Sequence, residues 1–154
     1  MRKRSWLLAA TIGVLAAMPA AAKDIDSVTG DDVVRLLEAA GYRATLGVDG
    51  VGEPLVSSHA ADADFFVSFY GCDAGRCGSI QFRSGFALED DVPLEVANEW
   101  NQQMRYAEAW IDEEGDPWLE MDIDLSEGAT EAQVTGYIEI WRFMLEAYQA
   151  HIGF

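Results

Sequence analysis

The strongest constraint on the fold is a pair of cysteines set between two stretches of alternating apolar residues. Cys72 and Cys77 are the only cysteines in the chain. If they lie opposite each other on neighbouring antiparallel strands, the apolar residues of both strands fall on the same face. The sequence therefore predicts a β-hairpin over residues 65–86, in a sheet with one buried face. In that register the opposed apolar pairs are Phe69 with Ile80 and Val67 with Phe82.

The cysteine pair has a structural and a chemical interpretation. A redox pair is usually C-x-x-C at the start of a helix, where the thiolate is stabilised, whereas this pair is predicted at the end of a hairpin. A structural zinc site needs four ligands, and His59 and His151 are the only histidines that could complete one. We therefore predict a disulfide between Cys72 and Cys77, and we expect no metal site and no cofactor.

Capping signals and apolar spacing predict three amphipathic helices. The first follows Thr29, carries two acids in its first turn and ends near residue 40. The second has acids before it and Pro93 in its first turn, and the third opens with the capping box Thr130-x-x-Gln133. The apolar stripe of the second helix is Val96, Trp100 and Met104, and the apolar face of the third is Val134, Tyr137, Ile138, Trp141, Met144, Leu145, Tyr148 and Ile152.

The remaining alternating stretches predict four further strands and a single α+β domain over residues 23–154. Its antiparallel sheet has about five to six strands packed against helices, in the order α-β-β-β-β-α-β-β-α. The four stretches are residues 42–48, 55–59, 107–112 and 118–125.

Residues 108–124, called here the acidic hairpin, hold three candidate binding residues. The inward-facing side chains of its two strands lie opposite each other only if the loop has an odd number of residues, most simply residues 114–116. In that register Glu108 lies opposite Asp122, and Glu120 shares their outward face. Because like charges opposite each other repel, a divalent cation is one interpretation, and a solvated face of a very acidic protein is the other.

Two tryptophans fall on the same outward face of the acidic hairpin. Large apolar side chains that face water are typical of contact sites, so Trp110 and Trp118 could anchor a peptide or a second subunit. Alternatively, a helix covers this side of the sheet and buries both. The pattern leaves both interpretations open.

The first residues have the three parts of an export signal. A basic start at residues 2–4 precedes an apolar stretch from Trp6 to Met18, then Pro19 and small residues up to Ala22. The stretch is too short to span a bilayer comfortably, which argues against a retained anchor. We therefore predict a signal peptide over residues 1–22, cleavage near Ala22, and a periplasmic or secreted protein without a membrane span.

Charge narrows the classes of partner. The whole chain has a formal charge of −17, and residues 1–22 hold three of its ten basic residues and none of its 27 acidic ones. Residues 23–154 therefore carry a formal charge of −20. Such a surface repels nucleic acid and anionic lipid, and it attracts basic segments of proteins.

Several motifs, in order, resemble one family. The chain is similar to the YbjN family, described as a regulator of bacterial sensory transduction. The resemblance implies a fold like that of type III secretion chaperones, with an antiparallel sheet against helices and frequent dimers. It brings no catalytic residues. The motifs that carry it are Phe66-Val67-Ser68-Phe69-Tyr70-Gly71-Cys72, Cys77-x-Ser79-Ile80-Gln81-Phe82-x-x-Gly85-Phe86, Asn98-x-Trp100-Asn101, residues 112–120 and Gly128-x-Thr130.

The sequence thus predicts a binding or chaperone-like protein without catalytic activity. A Gly-x-Ser-x-Gly elbow is absent, and the glycines of residues 47–52 lack the strand-to-helix setting of a phosphate loop. We expect the partner to be a protein or peptide with basic segments, and the chain to form a homodimer. The alternative is a cation-binding or hydrolytic protein that uses the acidic hairpin.

Overall fold

The computed structural model describes residues 24–154, so the predicted signal peptide at residues 1–22 lies outside the described residues. Within residues 24–154 the α+β architecture is confirmed, with three helices and an antiparallel six-stranded sheet. The helices are α1 (Gly30–Ala39), α2 (Leu94–Gln103) and α3 (Glu131–Ile152). The strands are β1 (Asp24–Ile25), β2 (Ala44–Val48), β3 (Pro54–Ala60), β4 (Ala63–Asp73), β5 (Arg76–Gly85), β6 (Glu108–Ile111), β7 (Pro117–Asp124) and β8 (Ala129–Thr130).

The predicted order of elements is confirmed, with two short strands added. The large sheet has the strand order β2-β3-β4-β5-β7-β6. Strands β1 and β8, which were not predicted, pair with each other outside it. Strands of two residues are too short for an alternating pattern to reveal them.

The predicted register of the cysteine hairpin is also confirmed. Cys72 lies opposite Cys77, their sulfur atoms are bonded, and their Cα atoms are 3.9 Å apart. Cys77 is buried, and its backbone exchanges two hydrogen bonds with Val28, at N–O distances of 2.8 and 3.0 Å. The disulfide therefore lies where the N-terminal segment joins the sheet. The other predicted pairs, Phe69 with Ile80 and Val67 with Phe82, are present.

The helices bury one face of the sheet, called here the inner face, around one cluster of apolar side chains. Trp141 of α3 lies with its ring centroid 5.7 Å from that of Phe82, and Trp100 of α2 contacts Tyr148 edge-on at 4.9 Å. Both tryptophans are at most 2% exposed, as their helical spacing predicted.

Both predicted N-caps are formed as capping boxes. Thr29 pairs with Asp32 at the start of α1, and Thr130 pairs with Gln133 at the start of α3. Among residues 24–154, no helix combines the length and the apolar character that a membrane crossing requires.

The predicted register of the acidic hairpin is wrong by two residues. Glu108 lies opposite Glu120, not Asp122, and Trp110 lies opposite Trp118. The loop has five residues, 112–116, rather than the predicted three. Because the predicted and the observed loop both have an odd number of residues, each side chain still lies on its predicted face of the sheet.

The reason for the longer loop is a turn that occurs twice, at residues 49–53 and 112–116. In each turn an aspartate comes first, and its Oδ1 accepts the backbone N–H of the third and fifth residues at 2.9–3.0 Å. A glycine comes fourth with a left-handed φ, 91° at Gly52 and 86° at Gly115. The aspartate carboxylate thereby holds its own residue in the turn and out of the strand.

Candidate binding face of the sheet

The face of the sheet opposite the helices, called here the outer face, holds the predicted partner-binding residues. Its β7 side chains alternate with the buried ones, since Leu119 and Met121 are buried whereas Trp118, Glu120 and Asp122 are not. Helices α1, α2 and α3 contribute to the core cluster on the inner face. No helix among residues 24–154 buries the two outward tryptophans, so that alternative is wrong.

Trp110 and Trp118 form a stacked pair on the outer face. Their ring centroids are 5.6 Å apart and their planes differ by 13°. They are directly opposite in the register of β6 and β7, which brings cross-strand side chains together. Trp110 remains 40% exposed, and Trp118 is half-buried. The pair therefore presents a flat aromatic surface to solvent.

Three neighbours fix the position of Trp118. Its indole Nε1 donates to Asp112 Oδ2 at 2.8 Å, and the guanidinium carbon of Arg83 lies 5.2 Å from its ring centroid. Its ring lies over Gly85, where an added Cβ would come within 2.7 Å of ring atoms. Glycine is thus needed at position 85 for this close approach. A ring held on three sides loses little freedom when it binds a partner.

The Trp118 hydrogen bond also affects the acid that makes it. The indole N–H, with the backbone N–H groups of the turn, holds the pKa of Asp112 below its usual value, and burial opposes this only in part. Asp112 therefore stays ionised, and one carboxylate links the turn to the aromatic pair.

The three predicted acids lie together beside the tryptophans. Glu108, Glu120 and Asp122 line a cleft of about 420 Å³ between the C-terminal end of α2 and the sheet. Burial raises the pKa of Glu120, the carboxylates of Asp122 and Glu108 raise it further, and Trp110 and Arg83 oppose the shift. The cleft is thus anionic, and a cation that entered it would relieve the repulsion between its acids.

Tyr106 lines the same cleft with an unusual backbone. Its φ of 74° lies in the left-handed region that bulky residues rarely adopt, and its ring is exposed. Strained residues of this kind concentrate at binding sites.

An apolar region continues the outer face across the middle strands. Leu55, Phe66 and Tyr70 line a second cleft, of about 290 Å³, together with Arg83. Tyr70 is 46% exposed and donates from its hydroxyl to Gln81 Oε1 at 3.2 Å. The sequence reasoning missed this region as a site. The signal was available, because the predicted β4–β5 register already places Phe66 opposite Arg83 on the outer face.

Among residues 24–154, no three histidine, cysteine, aspartate or glutamate side chains are grouped so that they could hold an ion. The acids of the cleft are spread along two strands, next to aromatic rings. This arrangement suits a cationic side chain with an apolar stem better than a bare ion.

The disulfide is separate from this face's aromatic and acidic residues. It lies at the tip of the β4–β5 hairpin, beside Arg76, which donates to Ser27 Oγ at 3.0 Å and to Ser27 O at 2.5 Å. The predicted site residues thus fall into two separate groups, the acids and tryptophans of the outer face and the disulfide at the tip of the β4–β5 hairpin.

The family model YbjN, described as "Putative bacterial sensory transduction regulator", matches residues 29–154. No curated protein matches the chain.

Proposed function

Because the chain belongs to the YbjN family, we propose that it is a regulatory or chaperone-like protein that binds a protein or peptide on the outer face and catalyses no reaction. The observation that carries the proposal is the stacked Trp110–Trp118 pair, which stays accessible while its surroundings hold it rigid. Rigid exposed tryptophans are the residues that most often dominate binding energy at protein contacts.

The charge of the face supports a basic partner. Glu108, Glu120 and Asp122 border the aromatic pair, and residues 23–154 carry a formal charge of −20. A segment with lysine or arginine next to apolar side chains would meet carboxylates in the cleft and aromatic rings beside it. We therefore propose a basic, partly apolar segment of another protein as the ligand.

We propose the periplasm, or the outside of the cell, as the compartment. The basic, apolar and small-residue parts of the N-terminus support this assignment, and so does the bonded cysteine pair, since disulfides persist in oxidising compartments. Intact-mass spectrometry of the protein from fractionated cells would support it if the measured mass is that of a chain that begins near residue 23. A cytoplasmic protein that retains residues 1–22 would refute it.

Site-specific photocrosslinking in the native cell tests the binding face. A photoreactive benzoylphenylalanine replaces Trp110, and a matched control places it at Phe143, which is 55% exposed on α3. We expect a discrete adduct with one partner from position 110 and none from position 143. The double variant Glu108→Gln/Glu120→Gln should reduce that adduct several-fold, because the cleft loses charge. Equal adducts from both positions, or none from position 110, would refute the proposal.

A further inference from the structure

The two edge strands of the sheet differ in what covers them, and β2 is the open one. Asp49 N donates to Glu53 O at 2.8 Å, which is one of the two bonds of a hydrogen-bonded pair, and Glu53 N donates to Asp49 Oδ1 in place of the other. Because such pairs alternate along antiparallel strands, Thr45 and Gly47 face β3, and Ala44, Leu46 and Val48 direct their N–H and C=O groups away from the sheet. Pro54 opposite Val48 agrees, since proline has no N–H to donate.

The side chains of β2 do nothing to protect this edge. Its five residues include no charge, in a chain with 27 acidic residues. Leu46 is 41% exposed and Val48 is 70% exposed. Edge strands in soluble proteins usually carry a charge, a proline or a covering element, because unpaired backbone groups recruit other strands. Between residues 24 and 154, no side chain donates to or accepts from the backbone of Ala44, Leu46 or Val48.

We propose that β2 pairs antiparallel with β2 of a second copy of this chain, with the two-fold axis at Leu46. In this register Leu46 faces its own equivalent, and Ala44 faces Val48 of the second copy. The three outward-facing residues of each copy then exchange about six backbone hydrogen bonds. On the face of the helices, the exposed Leu46 side chain then contacts Leu46 of the second copy, and the exposed Val48 side chain contacts Ala44 of the second copy.

The charges that flank β2 favour a second copy over an unrelated strand. Arg43 precedes the strand and Asp49 follows it. The axis at Leu46 places Arg43 of each copy opposite Asp49 of the other, which gives two opposite-charge pairs at the ends of the contact. Because Asp49 uses its Oδ1 for the turn, its Oδ2 is the oxygen left to accept from the arginine. The edge is thus complementary to itself in hydrogen bonding and charge.

The dimer extends the proposed function without depending on it. A β2–β2 contact joins two six-stranded sheets side by side and leaves both outer faces open. Its small area and the formal charge of −20 on each copy place it among weak, concentration-dependent contacts. Since long-range repulsion opposes the encounter, added salt should strengthen the dimer.

Sedimentation velocity on the protein as the cell processes it tests the contact. We expect monomer at about 1 μM and increasing dimer toward about 500 μM, which corresponds to a Kd between the micromolar and the millimolar range. Val48→Pro removes an outward N–H and should reduce dimer formation at least tenfold. The matched control is Gly50→Pro, in the turn, where no heavy atom lies within 4 Å of an added Cβ, and it should leave dimer formation unchanged. Monomer at all concentrations, or a dimer that Val48→Pro does not affect, would overturn the proposal.

Disulfide trapping tests the register and does not need the proline variant to fold. The register places Thr45 opposite Gly47 of the second copy, in the close pair whose Cα atoms are about 4.5 Å apart. A Cβ at Gly47 would meet only Leu55 O, at 3.7 Å, so Gly47→Cys is tolerated. A mixture of Thr45→Cys and Gly47→Cys proteins should oxidise to the mixed dimer at least several-fold faster than either protein alone. Equal rates would exclude this register.

Discussion

The two edge hairpins of the sheet, β2–β3 and β6–β7, have the same type of turn but differ in what covers their edge strands. Both turns begin with an aspartate that accepts two backbone N–H groups, and both have glycine in the fourth position. At β6, however, two side chains of α2 bind the outer backbone. At β2, no side chain among residues 24–154 does so.

The closure of β6 comes from adjacent residues of α2. Asn101 Oδ1 accepts from Ala109 N at 2.8 Å, and its Nδ2 donates to Ala109 O at 2.9 Å. Trp100 Nε1 donates to Ala107 O at 3.0 Å. One amide thus supplies both hydrogen bonds that a neighbouring strand would make. A short helix can thus end a sheet as a strand does, and an edge without such a helix remains available for pairing.

The largest expected effect comes from removing the tryptophan that joins α2 to β6. Trp100→Ala leaves a cavity beside Tyr148 and an unpaired carbonyl at Ala107. It should lower the free energy of unfolding by about 3–5 kcal/mol, measured by urea denaturation. Trp110→Ala is the matched control, and it should cost about 0.5–1.5 kcal/mol because it loses mainly the stacking contact. Equal losses would mean that Trp100 does not close the edge.

The second effect comes from the amide that replaces a strand. Asn101→Ala leaves the backbone of Ala109 without its partner and should lower the free energy of unfolding by about 1–2 kcal/mol. It should also produce new association at high concentration, because β6 becomes an open edge like β2.

Asn98→Ala is the control for Asn101→Ala. Asn98 lies on the exposed side of the same helix and makes no side-chain hydrogen bond within residues 24–154. Both substitutions change helix propensity by the same amount, so the difference between their free energies of unfolding measures the contribution of the contact between Asn101 and β6. A stable, monomeric Asn101→Ala protein would contradict the role of the amide.

Sequence reasoning succeeded where a periodic pattern and an independent constraint agreed. The cysteine pair and the apolar alternation of β4 and β5 indicate the same register, and that register is present. The caps at Thr29 and Thr130 and the buried face of α3 follow from local spacing, which depends little on tertiary contacts.

The parts that sequence reasoning missed depend on tertiary contacts. The slip by two residues in β6–β7 arose because Asp112 was counted as a strand residue, although the same Asp-x-x-Gly pattern in residues 49–52 marked a turn. Sequence reasoning named Asn101 only as part of a family motif, because its hydrogen bonds form only when the backbone of Ala109 lies beside α2. The candidate acids and tryptophans were placed on the correct face, since an odd loop fixes the face whatever its length.

The smallest expected effect is a pH-dependent loss of stability in the turn at residues 112–116, which the turn at residues 49–53 should not share. The hydrogen bond from the Trp118 indole, with help from the backbone N–H groups of the turn, holds the pKa of Asp112 below its usual 3.8. A group whose pKa is lower in the folded protein stabilises the fold above its unfolded pKa and loses that contribution as the pH falls through its folded pKa. Asp112→Asn keeps an acceptor for the turn and loses the charged partner of the indole. We expect its melting temperature to lie below that of the unchanged protein at pH 6, and the gap to close below pH 3.8.

Asp49→Asn is the matched substitution in the other turn. It likewise preserves the Oδ1 acceptor for Val51 and Glu53, and Asp49 has no indole hydrogen bond to lose. Its melting temperature at pH 6 should therefore fall less than that of Asp112→Asn. If the two substitutions cost the same, the indole contact contributes nothing at β6, and the difference between the two edges is confined to α2. If Asp112→Asn costs more, the turn at β6 also stabilises the aromatic pair of that hairpin, because the same carboxylate that shapes the loop holds Trp118 in place.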